Sequence, residues 1–474
     1  MRVMLRSLAV LAVAGLAASP LAADAVDDYV ESVRAREKIP GVGVLVVRDG
    51  AVDRIQGYGY ANLELGVPVS VDSVFQSGSV GKMFTAAGIL LLAEEGKLGL
   101  DDRLARHFPG SPSSWHRITI RHLLTHTSGL RDYGDEFDYR KDYTDAEMLA
   151  VMQKLPLEFE PGTQWSYSNS GYLVLGLLTT KLAGEHWSDY QSERIFATHG
   201  MATTRVISER DLVPHRAAGY ALDEAGEIKN QEWVAPPFNR CADGALYFSL
   251  RDLAAWARAL DAGRVVSPEH AAAWWTPVAL ADGSHAAYGF GWRLGEQRGQ
   301  SVIEHGGSWQ GFRAAIARYP EQRLTVAVLA NLAQAEPETM AHVIAGLVEP
   351  EVRLRDVESN VVDRDAERTA KLRGVLAAWA AFGADAAMAD GLARTASGSR
   401  REAADRRRTG ERLAAATSFD YLGEDELSPA ARALDADGAE RAVEHVLATE
   451  KERFAYRFLL AADGRVVRFS WERR

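Results

Sequence analysis

A serine and a lysine stand three positions apart where an apolar segment begins. Ser79 and Lys82 bound the sequence Ser-Val-Gly-Lys, and residues 82–95 are predicted to form a buried helix. Residues three apart on a helix share a face, so we expect Lys82 to contact Ser79. A serine hydroxyl needs a neighbour to take its proton, and the N–H groups of a helix start can stabilise an oxyanion. The pattern predicts a nucleophilic serine, and a surface lysine on a helix start is the alternative.

A tyrosine and an asparagine, Tyr167 and Asn169, stand two positions apart after a Pro-Gly turn. A tyrosine near a lysine can act as a phenolate base, since a cation about 4 Å away contributes roughly 4 kcal/mol at an effective dielectric near 20. Asn169 is a candidate to hold the lysine and a substrate carbonyl. The same pattern begins at Tyr60, but this residue ends the first predicted hairpin and is interpreted as a sheet residue.

A third segment, His-Gly-Gly-Ser from His305 to Ser308, ends a predicted strand. Gly306 and Gly307 would let the backbone of a ligand lie alongside this strand. The N–H of Ser308 is a candidate second oxyanion donor, opposite that of Ser79. His305 is a candidate to donate to a substrate carboxylate or to tune the tyrosine. A purely structural histidine beside a Gly-Gly bulge is the alternative interpretation.

In this order and spacing, the three segments resemble those of the penicillin-recognising serine hydrolases. This group contains the class C β-lactamases, serine D-Ala-D-Ala peptidases, D-aminopeptidases and related esterases. The resemblance covers about residues 27–348 and extends to further matching segments: residues 118–130 (Ile-Thr-Ile-Arg-His-Leu-Leu-Thr-His-Thr-Ser-Gly-Leu), 195–196 (Ile-Phe), 200–201 (Gly-Met) and 288–292 (Tyr-Gly-Phe-Gly-Trp).

The resemblance implies a role for each candidate residue. Ser79 would be the acylated nucleophile, and Lys82 and Tyr167 would form its proton relay, with the identity of the base left open. Class C β-lactamases carry a lysine at the position of His305, whereas D-aminopeptidases and some D-Ala-D-Ala peptidases resemble this chain there. This departure puts β-lactam hydrolysis in question.

Predicted strands flank a long helical middle of the chain. Two strands, at 41–47 and 52–58, surround an Asp-Gly turn. Three more are predicted at 301–304, 312–319 and 324–332. We expect the two groups to pair into one antiparallel sheet with helices packed on it, which is an α+β fold of the α/β-sandwich kind. The resemblance implies a β-lactamase/DD-peptidase-like body with an additional all-helical region.

The composition changes near residue 350, so we predict two domains after the first 25 residues. Residues 26–350 would form the serine hydrolase domain, and residues 351–474 a small α+β domain of two helices followed by a sheet. The arginine-rich stretch 400–408 is interpreted as a solvated loop or helix face. The tail resembles small appended domains of cystatin-like or nuclear-transport-factor-like shape.

Composition excludes several classes of function. The 474 residues are 47% hydrophobic, which is typical of globular proteins, and the net charge of −11 argues against nucleic-acid binding. The one cysteine, Cys241, cannot form an internal disulfide and is predicted to be a buried thiol. His122 and His126 have the spacing of a metal pair but lack a third ligand motif. We therefore predict no metal and no cofactor.

The first 25 residues are typical of an export signal. Arg2 and Arg6 precede an apolar run at 8–18, and a small-x-small site at 23–25 predicts a mature chain beginning near Val26. The run is shorter than the roughly 20 residues of a spanning helix. We therefore predict a periplasmic or secreted protein without a stable membrane anchor.

Together these observations predict an exported serine hydrolase that forms an acyl-enzyme from an amide or ester. The substrate would be a small molecule or a peptide, and a D-amino-acid peptide is the candidate. A promiscuous carboxylesterase and a class C-like β-lactamase are the enzymatic alternatives. A catalytically silent penicillin-binding sensor is the non-enzymatic one. The oligomeric state is left open.

Overall fold

The computed structural model describes residues 20–207, 211–235, 238, 240–355, 362–382, 400–435 and 438–473. Most of the predicted export signal, residues 1–19, lies outside the described residues. The first described helix begins at Pro20. Within the described part of the chain, every helix is too short or too polar to span a bilayer.

Three of the five predicted strands agree with the observed strands β1, β12 and β13 to within two residues at each end. In chain order they are β1 (Gly41–Arg48), β2 (Ala51–Asn62), β3 (Val67–Pro68), β4 (Phe75–Gln76), β5 (Tyr220–Leu222), β6 (Ile228–Asn230), β7 (Tyr247–Phe248), β8 (Val278–Ala279), β9 (His285–Ala286), β10 (Arg293–Gln297), β11 (Gln300–Trp309), β12 (Phe312–Tyr319), β13 (Leu324–Ala330), β14 (Ala416–Glu426), β15 (Ala439–Thr449), β16 (Arg453–Ala461) and β17 (Val466–Arg473).

The α-helices occupy mainly the middle of the chain and its two flanks. They are α1 (Pro20–Arg36), α2 (Lys82–Glu94), α3 (Leu104–His107), α4 (Ile120–Leu124), α5 (Asp145–Lys154), α6 (Asn169–Ala183), α7 (Trp187–Gln191), α8 (Ala197–His199), α9 (Leu250–Asp261), α10 (Pro268–Trp274), α11 (Pro337–Val348), α12 (Ala366–Phe382), α13 (Arg400–Ala414) and α14 (Pro429–Leu434).

One seven-stranded antiparallel sheet joins the two ends of the body, in the order β10-β11-β12-β13-β1-β2-β3. The central contact is between β1 and β13, where Val44 lies opposite Val328. Because successive side chains of a strand face opposite sides, β1 contributes to two cores. Leu45 packs with the helical middle of the chain, and Val44 packs against α1 and α11. The predicted pairing of the chain ends and the α+β class are confirmed.

Strand β11 is longer than predicted, and this changes the setting of the glycines. The sequence predicted a strand over residues 301–304, and the alternative interpretation of His305 expected a Gly-Gly bulge beside it. The observed strand runs to Trp309, and Gly306 and Gly307 pair in regular register with Ala315 and Ala314. The expected bulge was wrong, because small residues on both strands let the ladder continue through the glycines.

The C-terminal residues form a second antiparallel sheet of four strands, in the order β14-β15-β16-β17. Helix α12 packs on it through Leu372, Val375 and Leu376. The arginine-rich stretch lies in α13, as the helical interpretation expected. The segment that follows β14 contacts the edge of the large sheet, where Ser428 donates its N–H to the carbonyl of Gly299.

Candidate active site

Ser79 lies in a 3₁₀ turn, Gly78–Gly81, that leads directly into α2. Lys82 is the first residue of α2, so the predicted contact follows from one helical turn of backbone. The Nζ of Lys82 lies 3.1 Å from Ser79 Oγ. Ser79 is half-buried, whereas Lys82 is fully buried. The nucleophile candidate is therefore accessible, and its neighbouring amine is shielded from water.

Two further groups hold the Lys82 amine in place. Nζ donates to Asn169 Oδ1 at 2.7 Å and to the backbone carbonyl of Asp243 at 2.5 Å. Neither oxygen carries a proton, so these contacts use two of the three N–H directions of Nζ. The remaining direction faces Ser79 Oγ. In a neutral Lys82 that direction would be the lone pair, which is the geometry a general base needs.

The turn that carries Ser79 rests directly on β11. A Cβ on Gly78 would lie 2.2 Å from the nitrogen of Ser308, and Gly78 has a positive φ of 50°. A Cβ on Gly307 would lie 2.1 Å from the carbonyl oxygen of Ser77 and 2.9 Å from the nitrogen of Ser79. Only glycine allows two backbones to approach this closely. The contact brings the backbone nitrogens of Ser79 and Ser308 close together, as two oxyanion donors require.

Tyr167 lies over the same amine, within an aromatic group. Lys82 Nζ is 5.0 Å from the centroid of the Tyr167 ring and 5.4 Å from that of Tyr172. The His126 ring packs on Tyr167 with centroids 4.3 Å apart. Burial and the charge of Lys82 hold the pKa of His126 well below its usual value. A neutral His126 adds no second cation behind Lys82.

His126 also ties the tyrosine segment to the preceding loop, because its Nδ1 accepts the N–H of Ser168 at 3.2 Å. Ser168 is the N-cap of α6 and accepts the N–H of Gly171. His122 has a different role, since it forms a capping box with Thr119 at the start of α4. The two histidines are therefore engaged in separate local structures. Among the described residues, no group of three His, Cys, Asp or Glu side chains could hold a metal ion.

Asp132 is a partly buried carboxylate that the sequence analysis missed. It accepts the backbone N–H of Asn169 at 2.9 Å and its side-chain amide at 3.1 Å. Burial raises the pKa of Asp132, while the charge of Lys82 and the N–H of Asn169 oppose this effect. Because Asp132 accepts from Nδ2, Oδ1 of Asn169 must face Lys82. The only sequence signal was the position of Asp132 just after the Thr-His-Thr-Ser-Gly-Leu segment.

His305 is buried, and both of its ring nitrogens are engaged. Nδ1 lies 2.6 Å from the carbonyl oxygen of Gly306, and Nε2 lies 2.9 Å from the hydroxyl of Tyr288. A carbonyl only accepts, so Nδ1 carries the proton and Nε2 accepts from Tyr288. Burial raises the pKa of Tyr288 well above its usual value, which keeps this donor protonated. The Tyr167 ring lies 6.1 Å away.

The remaining sequence candidates are located away from this centre or behind it. Tyr60 lies on β2 with 46% of its surface exposed, which agrees with its interpretation as a sheet residue. Cys241 is buried, and burial raises the pKa of its thiol well above the usual value. Asp243 is braced by the hydroxyl of Tyr133, which donates to Oδ2 at 2.6 Å. The Asp243 carbonyl had no sequence signal, because any residue type supplies one.

The structure thus brings together Ser79, Lys82, Tyr167, Asn169, His305, Gly307 and Ser308. A hydroxyl, an amine, a phenol and two adjacent N–H groups are the components of acyl transfer through a covalent serine intermediate.

Solved structures share this fold. The octameric penicillin-binding protein homologue of Pyrococcus abyssi superposes with a TM-score of 0.62 at 22% identity, covering 95% of both chains. The D-amino acid amidase of Ochrobactrum anthropi SV3 gives a TM-score of 0.61 at 24% identity, covering 70% of this chain and 98% of that one.

Curated relatives match at higher identity. Penicillin-binding protein 4* of Bacillus subtilis is 33% identical over 306 residues, which are 61% of this chain and 67% of that protein. The D-aminopeptidase of Brucella anthropi is 31% identical over 316 residues, 65% of this chain and 59% of that protein. This chain thus spans about three fifths to two thirds of these two relatives. A family model described as Beta-lactamase matches residues 26–349. The chain therefore belongs to the Beta-lactamase family of serine hydrolases.

Proposed function

We propose that this protein hydrolyses an amide or ester bond through an acyl-enzyme on Ser79, and that its substrate is a D-amino-acid amide or peptide. The observation that carries the proposal is the arrangement of the buried Lys82 amine. Nζ donates to Asn169 and to the Asp243 carbonyl, and its third bonding direction faces Ser79 Oγ. A lysine that is buried and oriented toward a hydroxyl in this way is suited to proton transfer, whereas a structural lysine needs no such orientation.

In the proposed reaction, Ser79 Oγ attacks the substrate carbonyl carbon while its proton passes to the pair formed by Lys82 and Tyr167. The N–H groups of Ser79 and Ser308 donate to the oxygen that becomes negative. The proton is then delivered to the leaving amine or alcohol as its bond to carbon breaks. A water molecule attacks the acyl-enzyme, gives its proton to the same pair, and Ser79 leaves with a proton restored.

The D-amino-acid assignment rests on two supports. Relatives named D-aminopeptidase match at about 30% identity. In addition, a β-lactam carboxylate would need a donor at position 305, and the His305 nitrogens are already bonded to Gly306 and Tyr288. This favours a neutral backbone over an anionic group alongside Gly307. A promiscuous carboxylesterase or class C-like β-lactamase is the second candidate, and it is favoured only by the shared family.

A screen of the purified protein tests the proposal. D- and L-phenylalanine p-nitroanilides, p-nitrophenyl butyrate and a chromogenic cephalosporin are compared by turnover, and intact mass follows the acyl adduct. We expect turnover of the D-anilide to exceed that of its L-isomer, with the adduct on Ser79. The Ser79→Ala variant should lose all turnover and fluorophosphonate labelling at an unchanged melting temperature. Equal use of the two isomers would overturn the D-amino-acid assignment, and turnover of p-nitrophenyl butyrate alone would assign the esterase instead. No adduct with any substrate would favour a silent sensor.

We also propose export and a two-domain organisation, with cleavage near Val26 and a boundary near residue 350. The positively charged start and the apolar run support the first, and the separate C-terminal sheet supports the second. Amino-terminal sequencing of protein from periplasmic and cytoplasmic fractions tests export. Limited proteolysis around residues 350–362 tests the boundary.

A further inference from the structure

Strand β11 extends past its outer neighbour at the serine centre. The pairing of β10 with β11 ends at Glu304. Residues 305–309 therefore have β12 on one side and, among the described residues, no strand on the other. The turn that carries Ser79 rests on this open stretch at Gly307. A substrate whose carbonyl carbon lies at Ser79 therefore extends toward both ends of the stretch.

The two ends of this stretch differ in chemistry, and this difference orients the substrate. At one end, the His305 ring lies 6.1 Å from the ring of Tyr167, which belongs to the proposed proton relay. The relay must reach the leaving group in order to protonate it, so the leaving group belongs at this end. The acyl part of the substrate then extends toward the opposite end, where Trp309 lies.

Trp309 faces the serine side of the large sheet. Alternate residues of a strand point to the same face, so Trp309 shares its face with His305 and Gly307. Its Cα lies two residues beyond that of Gly307, about 7 Å along the strand. The indole ring is partly buried and packs against the core on the helical side of the sheet. Trp309 is therefore within reach of the side chain of an acyl group on Ser79.

A second aromatic ring continues this surface. The ring of Tyr139 lies 5.9 Å from that of Trp309, at an angle of 59°. Phe238 is buried and supports Tyr139, with ring centroids 4.8 Å apart. The hydroxyl of Tyr139 donates to the carbonyl of Gly134 at 3.1 Å. Because Trp309 and Tyr139 are only partly buried, both rings still present aromatic surface to solvent.

The charged residues beside Tyr139 are engaged with other partners. Asp138 accepts the backbone N–H of Arg140 at 3.0 Å, and the Arg140 guanidinium pairs with Glu232 at 2.9 Å. The group complementary to the two rings is therefore apolar. An aromatic group is the most suitable, because it gains ring–ring contacts in addition to the burial of its surface.

We propose that Trp309 and Tyr139 form the acyl-group subsite, and that the preferred substrate carries a large apolar side chain, above all an aromatic one, on its acyl part. This inference rests on the proposed function, because it concerns the group that Ser79 receives. The relay and the oxyanion donors contact atoms that every ester or amide shares, so they cannot make this selection.

Two esters that differ only in the acyl group test the proposal. The esters p-nitrophenyl 3-phenylpropanoate and p-nitrophenyl propanoate share a leaving group, have no stereocentre and are compared by kcat/KM. We expect the phenylpropanoate to be favoured at least about tenfold, because its phenyl group is removed from water against apolar surface. Equal values would overturn the aromatic subsite and leave the serine hydrolase in place. No reaction of Ser79 with either ester or with a fluorophosphonate would overturn the hydrolase, and this inference with it.

Variants locate the preference. Trp309→Ala and Tyr139→Ala should each lower kcat/KM for the phenylpropanoate at least about fivefold more than for the propanoate. Trp309→Phe retains an aromatic ring and should retain most of the preference. Tyr60→Ala is the control, because Tyr60 is an exposed tyrosine on β2.

The same variants separate selection from support of the strand. Thermal unfolding checks that each variant is folded. An equal loss with both esters in Trp309→Ala would show that the indole only supports β11, and this result would overturn the subsite. An unchanged ratio of the two kcat/KM values in the Trp309→Ala/Tyr139→Ala double variant would also overturn it.

Discussion

Asp132 forms two hydrogen bonds with Asn169, accepting its backbone N–H at 2.9 Å and the N–H of its side-chain amide at 3.1 Å. The second bond fixes which end of the amide faces Lys82, and the first fixes the start of α6. The position of the Lys82 amine near Ser79 therefore depends on a carboxylate that acts on it through Asn169. Asp132 is a positioning residue.

Replacing one of the two acceptor oxygens of Asp132 with an amide nitrogen should loosen the position of Lys82 without removing this residue. We expect Asp132→Asn to slow acylation of Ser79 by about ten- to a hundredfold, the cost of a misplacement of roughly 1 Å. Substrate binding should change much less, so the effect should appear in kcat rather than in KM. Asp142→Asn is the matched control on an exposed carboxylate of the same region. Equal rates for Asp132→Asn and wild type would show that Asn169 needs no second support.

The relay formed by Lys82 and Tyr167 should behave as one unit. Lys82→Ala and Tyr167→Phe should each slow acylation at least about a hundredfold, because a positioned acid–base group contributes that much. The double variant should lose much less than the product of the two losses. Single-turnover acylation followed by intact mass measures each rate. Tyr60→Phe is a control, since Tyr60 has the same sequence pattern but lies on β2. Multiplicative losses would assign the two groups to separate steps.

Local geometry explains which parts of the site could be predicted. Lys82 is one helical turn from Ser79, so their contact follows from spacing alone. The contacts of Asp132 with Asn169 and of Lys82 with the Asp243 carbonyl join segments distant in sequence. Tertiary packing determines these contacts. Every residue has a backbone carbonyl, so neither sequence periodicity nor residue type could predict that the carbonyl of Asp243 accepts from Lys82.

The fold shows the same difference between features set by local sequence and features set by tertiary packing. Alternating and apolar runs predicted β1, β2, β12, β13 and their common sheet. The full length of β11 was missed because glycines are poor strand formers, and here Ala314 and Ala315 on the neighbouring strand accommodate them. Placing His305 inside the strand turns its side chain toward Tyr288, which changes the expected partner from substrate to protein.

Tyr288 and His305 should be energetically coupled. Tyr288→Phe leaves Nε2 of His305 without its donor in a buried site, which should lower the free energy of unfolding by about 1–3 kcal/mol. His305→Phe should cost a similar amount, and the double variant should cost less than the sum, because neither polar group is then left without its partner. Urea unfolding of the four proteins gives the coupling energy. A sum within about 0.3 kcal/mol would indicate independent residues.

His445 in the C-terminal sheet should make the protein less stable in acid. Its Nε2 lies 2.8 Å from Thr369 Oγ1 and its ring stacks on Phe419. Burial lowers its pKa to about 4, although Asp363 and Asp420 oppose this effect and Arg368 adds to it. The unfolded chain binds a proton near pH 6.5 and the folded chain does not. The contribution of neutral His445 to the free energy of unfolding is therefore complete above about pH 6.5 and is lost as the pH falls toward 4.

Replacement of this histidine should remove part of that pH dependence. Between pH 6.5 and 4.5, the free energy of unfolding of the wild type should fall more steeply than that of His445→Gln, by up to about 1.4 kcal/mol per pH unit. The slope is the informative quantity, because the variant also loses the stacking on Phe419 and starts from a lower stability. His116→Gln, at an exposed position, should retain the wild-type slope. Parallel curves for the wild type and His445→Gln would show that His445 titrates alike in the folded and unfolded chains.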